Sequence, residues 1–450
     1  MKKLLAILFG IVVFVAPMIM SAQQIESGGG SMKIGVHINA SYRWSGEDNK
    51  HPEPDEIGWY GYDTFSAGDI MIEITGKIGD RVSYKILQGL VFEDFMILSP
   101  ETDLLKQPFG PGQTGTIVAT PKSTATQSLF VQPMEAYIDL KVIDQLKVRI
   151  AKSVAPTLLA NTGVHQAKVI HTANPPLIAN RVMGFNEMLV NKALTPIAGG
   201  IVYPGFFRVP LPLNVSGAGV IVNPIEGVEL EYKAYNEWFN GGAGNILGLK
   251  LIESTADLGF DYNRTKGWDL ALTLAHDIGP GKLTARGFYF DEYIDLHNLN
   301  FQLVPIEPPL NGRNFGWGAG FNYEAKKFFF GGEYATDTLA WSEKPVDFDK
   351  KSNTWSGFYA QVGGRFGAIQ PVYRYDFIDY TNLKKDDIKW EDIDIESFDT
   401  ETWHTFGVNY LLNDHYTAGI NYVIKKPEEM KDVNYPNVNE VIVWSELDLL

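Results

Sequence analysis

Residues 405–424 read TFGVNYLLNDHYTAGINYVI, and the alternation inside them decides the fold. Phe406, Val408 and Tyr410 fall on one side of an extended chain. After the polar turn Asn413, Asp414 and His415, that side continues through Tyr416, Ala418, Ile420, Tyr422 and Ile424. Thr405, Gly407, Asn409, Thr417, Gly419 and Asn421 fall on the other side. Successive side chains of a strand point to opposite faces, so this hairpin has one apolar, aromatic-edged face and one small, polar face. In water the apolar face would turn to a core. In a bilayer it turns to lipid, and the polar face lines a wet lumen.

The same period recurs along nearly the whole chain. From Met32 to Trp44, Ile34, Val36, Ile38, Ala40, Tyr42 and Trp44 alternate with Lys33, Gly35, His37, Asn39, Ser41 and Arg43. Further strands are expected near 70–76, 82–92, 134–142, 146–151, 217–222, 228–238, 257–262, 268–276, 283–293, 314–323, 328–334, 354–364, 371–377 and 439–450. With the hairpin this makes about 17 segments. A weak alternation at Leu299, Phe301 and Leu303 would add one; since closed barrels favour even counts, about 16 to 18 strands are expected. Connections sort by length. Those at 76–80, 142–145, 223–227, 263–267, 324–327, 364–368 and 412–415 are short, whereas 45–63, 95–131, 153–215, 336–353, 378–402 and 426–438 are long. A soluble sandwich has no reason to segregate loop lengths. An up-and-down antiparallel transmembrane β-barrel does, with short periplasmic turns and long extracellular loops.

The amino terminus fits that solvent. Lys2 and Lys3 precede an apolar run from Leu4 to Met20, and Ser21, Ala22 and Gln23 offer a small residue for cleavage. Residues 1–22 therefore read as a secretory signal peptide, leaving 23–450 as a single barrel addressed to a Gram-negative outer membrane. No later stretch supplies the roughly 18 uninterrupted apolar residues of a spanning helix. The chain has no cysteine, which excludes disulfide scaffolds and thiolate metal sites. Aromatic residues make up 13% and glycines number 44, which suits a large sheet with interface girdles and tight turns. A net charge of −16 argues against nucleic-acid binding.

Motifs for chemistry are scarce. The eight histidines are scattered, and no zinc-protease, nucleophile-elbow or phosphate-loop pattern occurs. His404 and His415 sit at opposite ends of one strand, too far apart to cooperate, so no enzymatic activity, cofactor or metal is expected. Gly316, Gly318 and Gly320 alternate with Phe315, Trp317, Ala319 and Phe321, as small lumen-facing residues would. The acidic run Asp386, Asp387, Glu391, Asp392, Asp394, Glu396, Asp399 and Glu401 matches a calcium loop only in part. Ser397 and Trp403 stand where glycine and the bidentate glutamate belong, so a solvated loop is expected.

Charge segregation is the most informative feature. Between 153 and 214 the only acid is Glu187, against Lys168, Arg181, Lys192 and Arg208. The preceding hairpin adds Lys141, Lys147, Arg149 and Lys152. This segment is far longer than an ordinary loop. A barrel of about 16 to 18 strands encloses an aqueous channel, and a long loop folded inward would narrow it. Fixed positive charge at such a throat selects anions. Lys147, Arg149, Lys152, Lys168 and Arg181 are accordingly the candidate constriction and solute-contacting residues.

VRIAKSVAP at 148–156 resembles the strand end that leads into the long loop of the phosphate-selective porin O and P family. NRVMG at 180–184 resembles the Arg-x-x-Gly element that follows in that family. Ala151 stands where the family has glycine and Thr157 where it has an aromatic residue. The resemblance implies a 16-stranded passive outer-membrane channel, trimeric in many members and phosphate-selective, with Lys152 and Arg181 at the constriction.

The leading reading is thus a passive porin for small solutes, anion- or phosphate-selective, embedded in outer-membrane lipids. A transporter of hydrophobic compounds is a second reading, suggested by Leu158, Leu159, Leu177, Ile178, Phe206 and Phe207. A non-conducting structural or adhesive barrel is a third. On the strand faces, Ile38 and Ile420 should meet lipid, and Asn39 and Asn421 should meet water.

Overall fold

The computed structural model describes residues 23–27, 30–45, 64–66, 69–99, 122–153, 158–159, 171–173, 176–178, 194–197, 201–204, 215–235, 266–295, 311–344, 349–379, 398–413, 415–429 and 438–449. In chain order the strands are β1 (Gln23–Ser27), β2 (Gly30–Ser45), β3 (Thr64–Ser66), β4 (Asp69–Ile78), β5 (Val82–Ser99), β6 (Lys122–Ile143) and β7 (Leu146–Ser153). They continue with β8 (Leu194–Ile197), β9 (Ile201–Pro204), β10 (Val215–Val222), β11 (Val228–Tyr235), β12 (Gly267–Ile278), β13 (Gly281–Asp295) and β14 (Asn311–Ala325). The last are β15 (Phe328–Trp341), β16 (Ser352–Gly364), β17 (Ile369–Asp379), β18 (Phe398–Asn413), β19 (Tyr416–Glu429) and β20 (Val438–Asp448).

Every pairing among them is antiparallel, and the wall closes on itself. β7 pairs with β10 across the long connection, and β20 returns to β2 through Ile38↔Leu447 to Ser45↔Glu440. β3 and β4 both pair with β2 and share one position in the wall. β1 pairs with the first residues of β2, on the edge that β20 occupies farther along. β8 and β9 pair only with each other. The result is a closed barrel of 16 strands.

Sixteen is the lower bound of the expected count. The stretch 257–262 lies outside the described residues, as does 299–303, and β11 pairs directly with β12. Of the short turn expected at 263–267, residues 263–265 lie outside the described residues. β12 begins at Gly267, and the tight connection is Gly279–Pro280, with Gly279 at φ 57°. That left-handed conformation costs glycine little and other residues more. β5 and β6 run on past the expected strand ends, pairing as far as Ser99↔Lys122.

Loop lengths segregate by end. Seven short connections between successive strands of the wall, from 79–81 to the one joining Asn413 to Tyr416, lie at one end. The stretches 46–63, 100–121, 154–214, 236–266, 296–310, 342–351, 380–397 and 430–437 link strands at the other.

Both faces of the opening hairpin are as its alternation implies. Phe406 and Val408 are 48% and 54% exposed on the outer face, while Thr405 and Asn409 are 0% and 1% exposed inside. Outward aromatics form a belt near the long-loop end. Tyr232 lies 6.4 Å from Trp268, Trp268 lies 5.4 Å from Tyr289, and Trp317 lies 5.2 Å from Tyr334. Tyr323, Phe328 and Phe330 cluster beside the short turns. Amphipathic rings at both interfaces of an apolar band mark transmembrane barrels.

Inside, Gly316 and Gly318 line β14. A Cβ on either would come within 2.7 Å of the Phe290 ring or 2.6 Å of the Phe288 ring. These glycines let two phenylalanines lie flat against the wall. One expectation needs correcting: Asn421 does face inward, yet it is fully buried rather than water-facing.

Ile420→Arg, which sets a cation in the apolar band, should cost about 2–4 kcal/mol near the midplane. Asn39→Arg, on the inner face, should cost far less. Urea unfolding in lipid vesicles measures both, and equal losses would reverse the assignment of the faces.

Candidate functional site

The connection between β7 and β10 explains why Asn421 is buried. Residues 158–159, 171–173 and 176–178 of it lie against the inner wall of β15–β19, whose side chains hold their backbone. Leu159 N–H donates to Glu333, whose second oxygen accepts from Tyr359 Oη at 2.8 Å. Ala173 N–H donates to Asn421 Oδ1 at 2.7 Å, and Leu177 N–H to Asp376 Oδ1 at 3.1 Å. Asn409 Nδ2 donates to the His171 carbonyl at 2.8 Å and to Gln370 Oε1 at 3.0 Å. Arg374, fully buried, donates through Nε to Asp376 at 2.8 Å and through Nη1 to Thr172.

Apart from His171 and Thr172, the described side chains of this segment that meet the wall are apolar. Leu158, Leu159, Leu177 and Ile178 are all buried. Gly357 makes room for Ile178, since a Cβ there would come within 2.8 Å of it. The His171 ring lies 3.8 Å from that of Phe329. Burial, and secondarily the charge of Arg365, push its imidazole down to about 3, so it packs as a neutral ring.

The wall that receives this segment stands opposite its origin. Counting forward from β7, the neighbours are β10, β11, β12, β13, β14, β15, β16 and β17. Counting backward, they are β6, β5, β4, β2, β20, β19, β18 and β17. Both routes take eight steps in a ring of 16, so the segment spans the barrel's diameter to reach Arg374 and Asp376.

Charge lines the other part of the wall. Lys85 bridges Glu135 at 2.9 Å and Glu73 at 3.2 Å. The Arg149 fork meets Asp139 through two bonds of 2.7 and 2.9 Å, reaches Glu231 at 3.4 Å, and lies 4.0 Å over the Tyr137 ring. Lys233 stands 3.5 Å from Asp269 and 4.0 Å from Glu231, while Arg286 stands 3.7 Å from Glu231. Four cations therefore face five carboxylates (Glu73, Glu135, Asp139, Glu231 and Asp269), so this stripe is nearly neutral.

Of the candidate constriction residues, Lys147 and Arg149 lie on the inner face of β7, two residues apart. Arg149 is committed to carboxylates rather than held as an open positive charge. Lys152 belongs to β7, with its side chain outside the described residues, and Lys168 and Arg181 lie wholly outside them. Most of the acidic run 386–401 does too; Glu401, inside, accepts from Trp403 Nε1 at 2.5 Å. Among the described residues no group of three or more metal-ligating side chains comes together.

Sequence reasoning missed the gripping residues Glu333, Arg374, Asp376, Asn409 and Asn421. A signal existed: Arg374 and Asp376 alternate with Tyr373, Tyr375 and Phe377, which sets two charges on the face opposite an aromatic run.

Neither a protein-family model nor a curated protein matches the sequence. Solved structures do match the fold. OmpF of Salmonella typhi aligns with a TM-score of 0.51 at 9% identity, covering 95% of this chain and all of that one. The outer membrane channel DcaP of Acinetobacter baumannii gives 0.50 at 11%, covering 95% and 100%. The anion-selective porin from Comamonas acidovorans gives 0.50 at 10%, covering 93% and 99%. At such identity the likeness establishes a porin-like barrel.

Arg374→Ala would leave Asp376 buried without its cation, a loss of about 3–5 kcal/mol. Asn409→Ala, which removes two neutral hydrogen bonds, should cost about 1–3 kcal/mol. Both should speed proteolysis within 158–178. Unchanged cleavage and unfolding midpoints would show that the segment is held by other contacts.

Proposed function

We propose that this chain is a passive outer-membrane channel, admitting small hydrophilic solutes through its lumen and catalysing no reaction. The observation that carries the reading is the segment that crosses the barrel to the opposite wall. A 16-stranded barrel leaves an aqueous channel, and a segment fixed across its diameter narrows that channel without gating it. A cleaved leader at residues 1–22 and assembly into trimers complete the reading, supported by the leader's composition and by the resemblance. Recovery of a heat-modifiable protein in the outer-membrane fraction, with stepwise conductance in planar bilayers, tests it. A periplasmic protein without conductance would overturn it.

Anion or phosphate preference is the second reading, favoured by the concentration of Lys168, Arg181, Lys192 and Arg208 in the crossing connection. Lys147 and Lys152 at its base add to it, whereas Arg149, covered by Asp139 and Glu231, adds little. Charges beyond a Debye length of about 8 Å are screened in physiological salt, so local groups outweigh the acidic exterior. Replacing Lys152 and Arg181 together by glutamate should move the reversal potential toward cations and weaken block by phosphate. Neutralising acids within 386–401 should change it little. The opposite pattern would leave an unselective channel.

A further inference from the structure

The crossing segment meets the wall at two depths. Leu159 and Leu177 donate to Glu333 and Asp376, the sixth and eighth residues of β15 and β17 counted from the short turns. His171 meets it lower down. Its ring lies 3.8 Å from that of Phe329, the second residue of β15. Its carbonyl accepts from Asn409, which also donates to Gln370, the second residue of β17. His171 thus marks the deepest described contact of the segment, beside the short turns.

The seat suits one charge state of the ring. His171 is buried, and its Nε2 is enclosed without a hydrogen-bond partner. A neutral imidazole bears that at modest cost, whereas an imidazolium has two N–H donors and a charge to satisfy. Among the described residues no carboxylate contacts the ring. The acids on the surrounding strands are engaged elsewhere. Glu324 of β14 accepts from Arg365, Glu333 of β15 from Leu159 N–H and Tyr359, and Asp376 of β17 from Arg374. β18 and β19 present the neutral Asn409 and Asn421, with Glu401 and Lys425 nearer the long loops. The exposed Lys326 and Lys327 before β15 are positive, and Arg365 after β16 sets a like charge against the ring.

We propose that His171 makes the crossing segment an acid-released gate, in which one proton taken up by the imidazole expels the ring from its seat and frees the segment from the wall. The charge is local, and the two-state element that it biases is the docked segment. An accessible histidine titrates near 6.5, and burial, then Arg365, hold the docked ring down to about 3. The released state therefore takes up a proton that the docked state refuses. Docking is fully favoured above pH 6.5 and weakens as pH falls from there toward 3. Within that window the ratio of released to docked channels rises about tenfold per pH unit. Above it the segment stays a fixed constriction. Glu333 and Asp376 also hold the segment and are the other groups through which acid could act, so replacing the histidine separates them.

The test is single-channel recording of the intact protein in planar bilayers between about pH 6.5 and 4.5. Excursions of the wild type to a larger conductance should gain about a hundredfold in occupancy across that range. His171→Phe and His171→Gln, which take up no proton, should show no such gain. Hydrogen exchange at the Leu159, Ala173 and Leu177 amides, whose acceptors sit on the wall, reads the same release without current. Their protection, normalised to the intrinsic rate at each pH, should fall about tenfold per pH unit in the wild type and stay level in both variants. Level protection and conductance in the wild type overturn the proposal without any variant. A wild-type slope retained by either folded variant overturns it too, since the carboxylates would then carry the response. The proposal rests on the channel reading only for its effect on current. Falling protection without current removes the channel and keeps the switch; current with level protection does the reverse.

Discussion

Everything in this barrel depends on backbone hydrogen bonds that have no alternative partner. An unsatisfied N–H or C=O in hydrocarbon costs several kcal/mol, and a sheet avoids that along its whole length only by leaving no edge. Closure of β20 on β2 meets the requirement, and it dictates the rest. A closed wall has one outside and one inside, so period two along each strand becomes a division between lipid and lumen. The aromatic belt, the glycines under Phe288 and Phe290, and the charged stripe from Lys85 to Arg286 are consequences of which side of that wall each residue occupies.

Because the constraint is local and repetitive, much of the architecture was legible in the residues. Met32–Trp44 and the hairpin around Asn413 alternate cleanly, and both lie in the wall as their faces imply. The sorting of loop lengths was legible for the same reason. Where the pattern was weak, less can be matched. The stretch 257–262, read as a strand, lies outside the described residues, and the wall passes directly from β11 to β12. The turn at Gly279–Pro280 falls in the gap between the expected strands 268–276 and 283–293, each of which runs nearer to it than its alternation showed.

The site was much less legible, since it is made by contacts between distant parts of the chain. Basic residues near the long connection drew attention to Arg149, but nothing local shows that Asp139 and Glu231 cover it from neighbouring strands. Asn421 looked like an ordinary water-facing residue; only the crossing segment buries it. Arg374 and Asp376 carried a hint in their alternation with aromatics. Their roles as anchors required knowing that β17 stands opposite β7.

The anchoring of that segment also bears on the order of assembly. Its hydrogen bonds join residues 174, 199, 202, 238 and 248 positions apart in the chain. Contacts so remote in sequence form slowly, because the intervening chain must first be organised. Glu333, Arg374, Asp376, Asn409 and Asn421 do not share a surface until β15–β19 have zipped together. Docking of the crossing segment therefore waits on the pairing of β15–β19, and a barrel that has not reached that step carries a wider bore, which favours a β17 that presents Arg374 and Asp376 already paired.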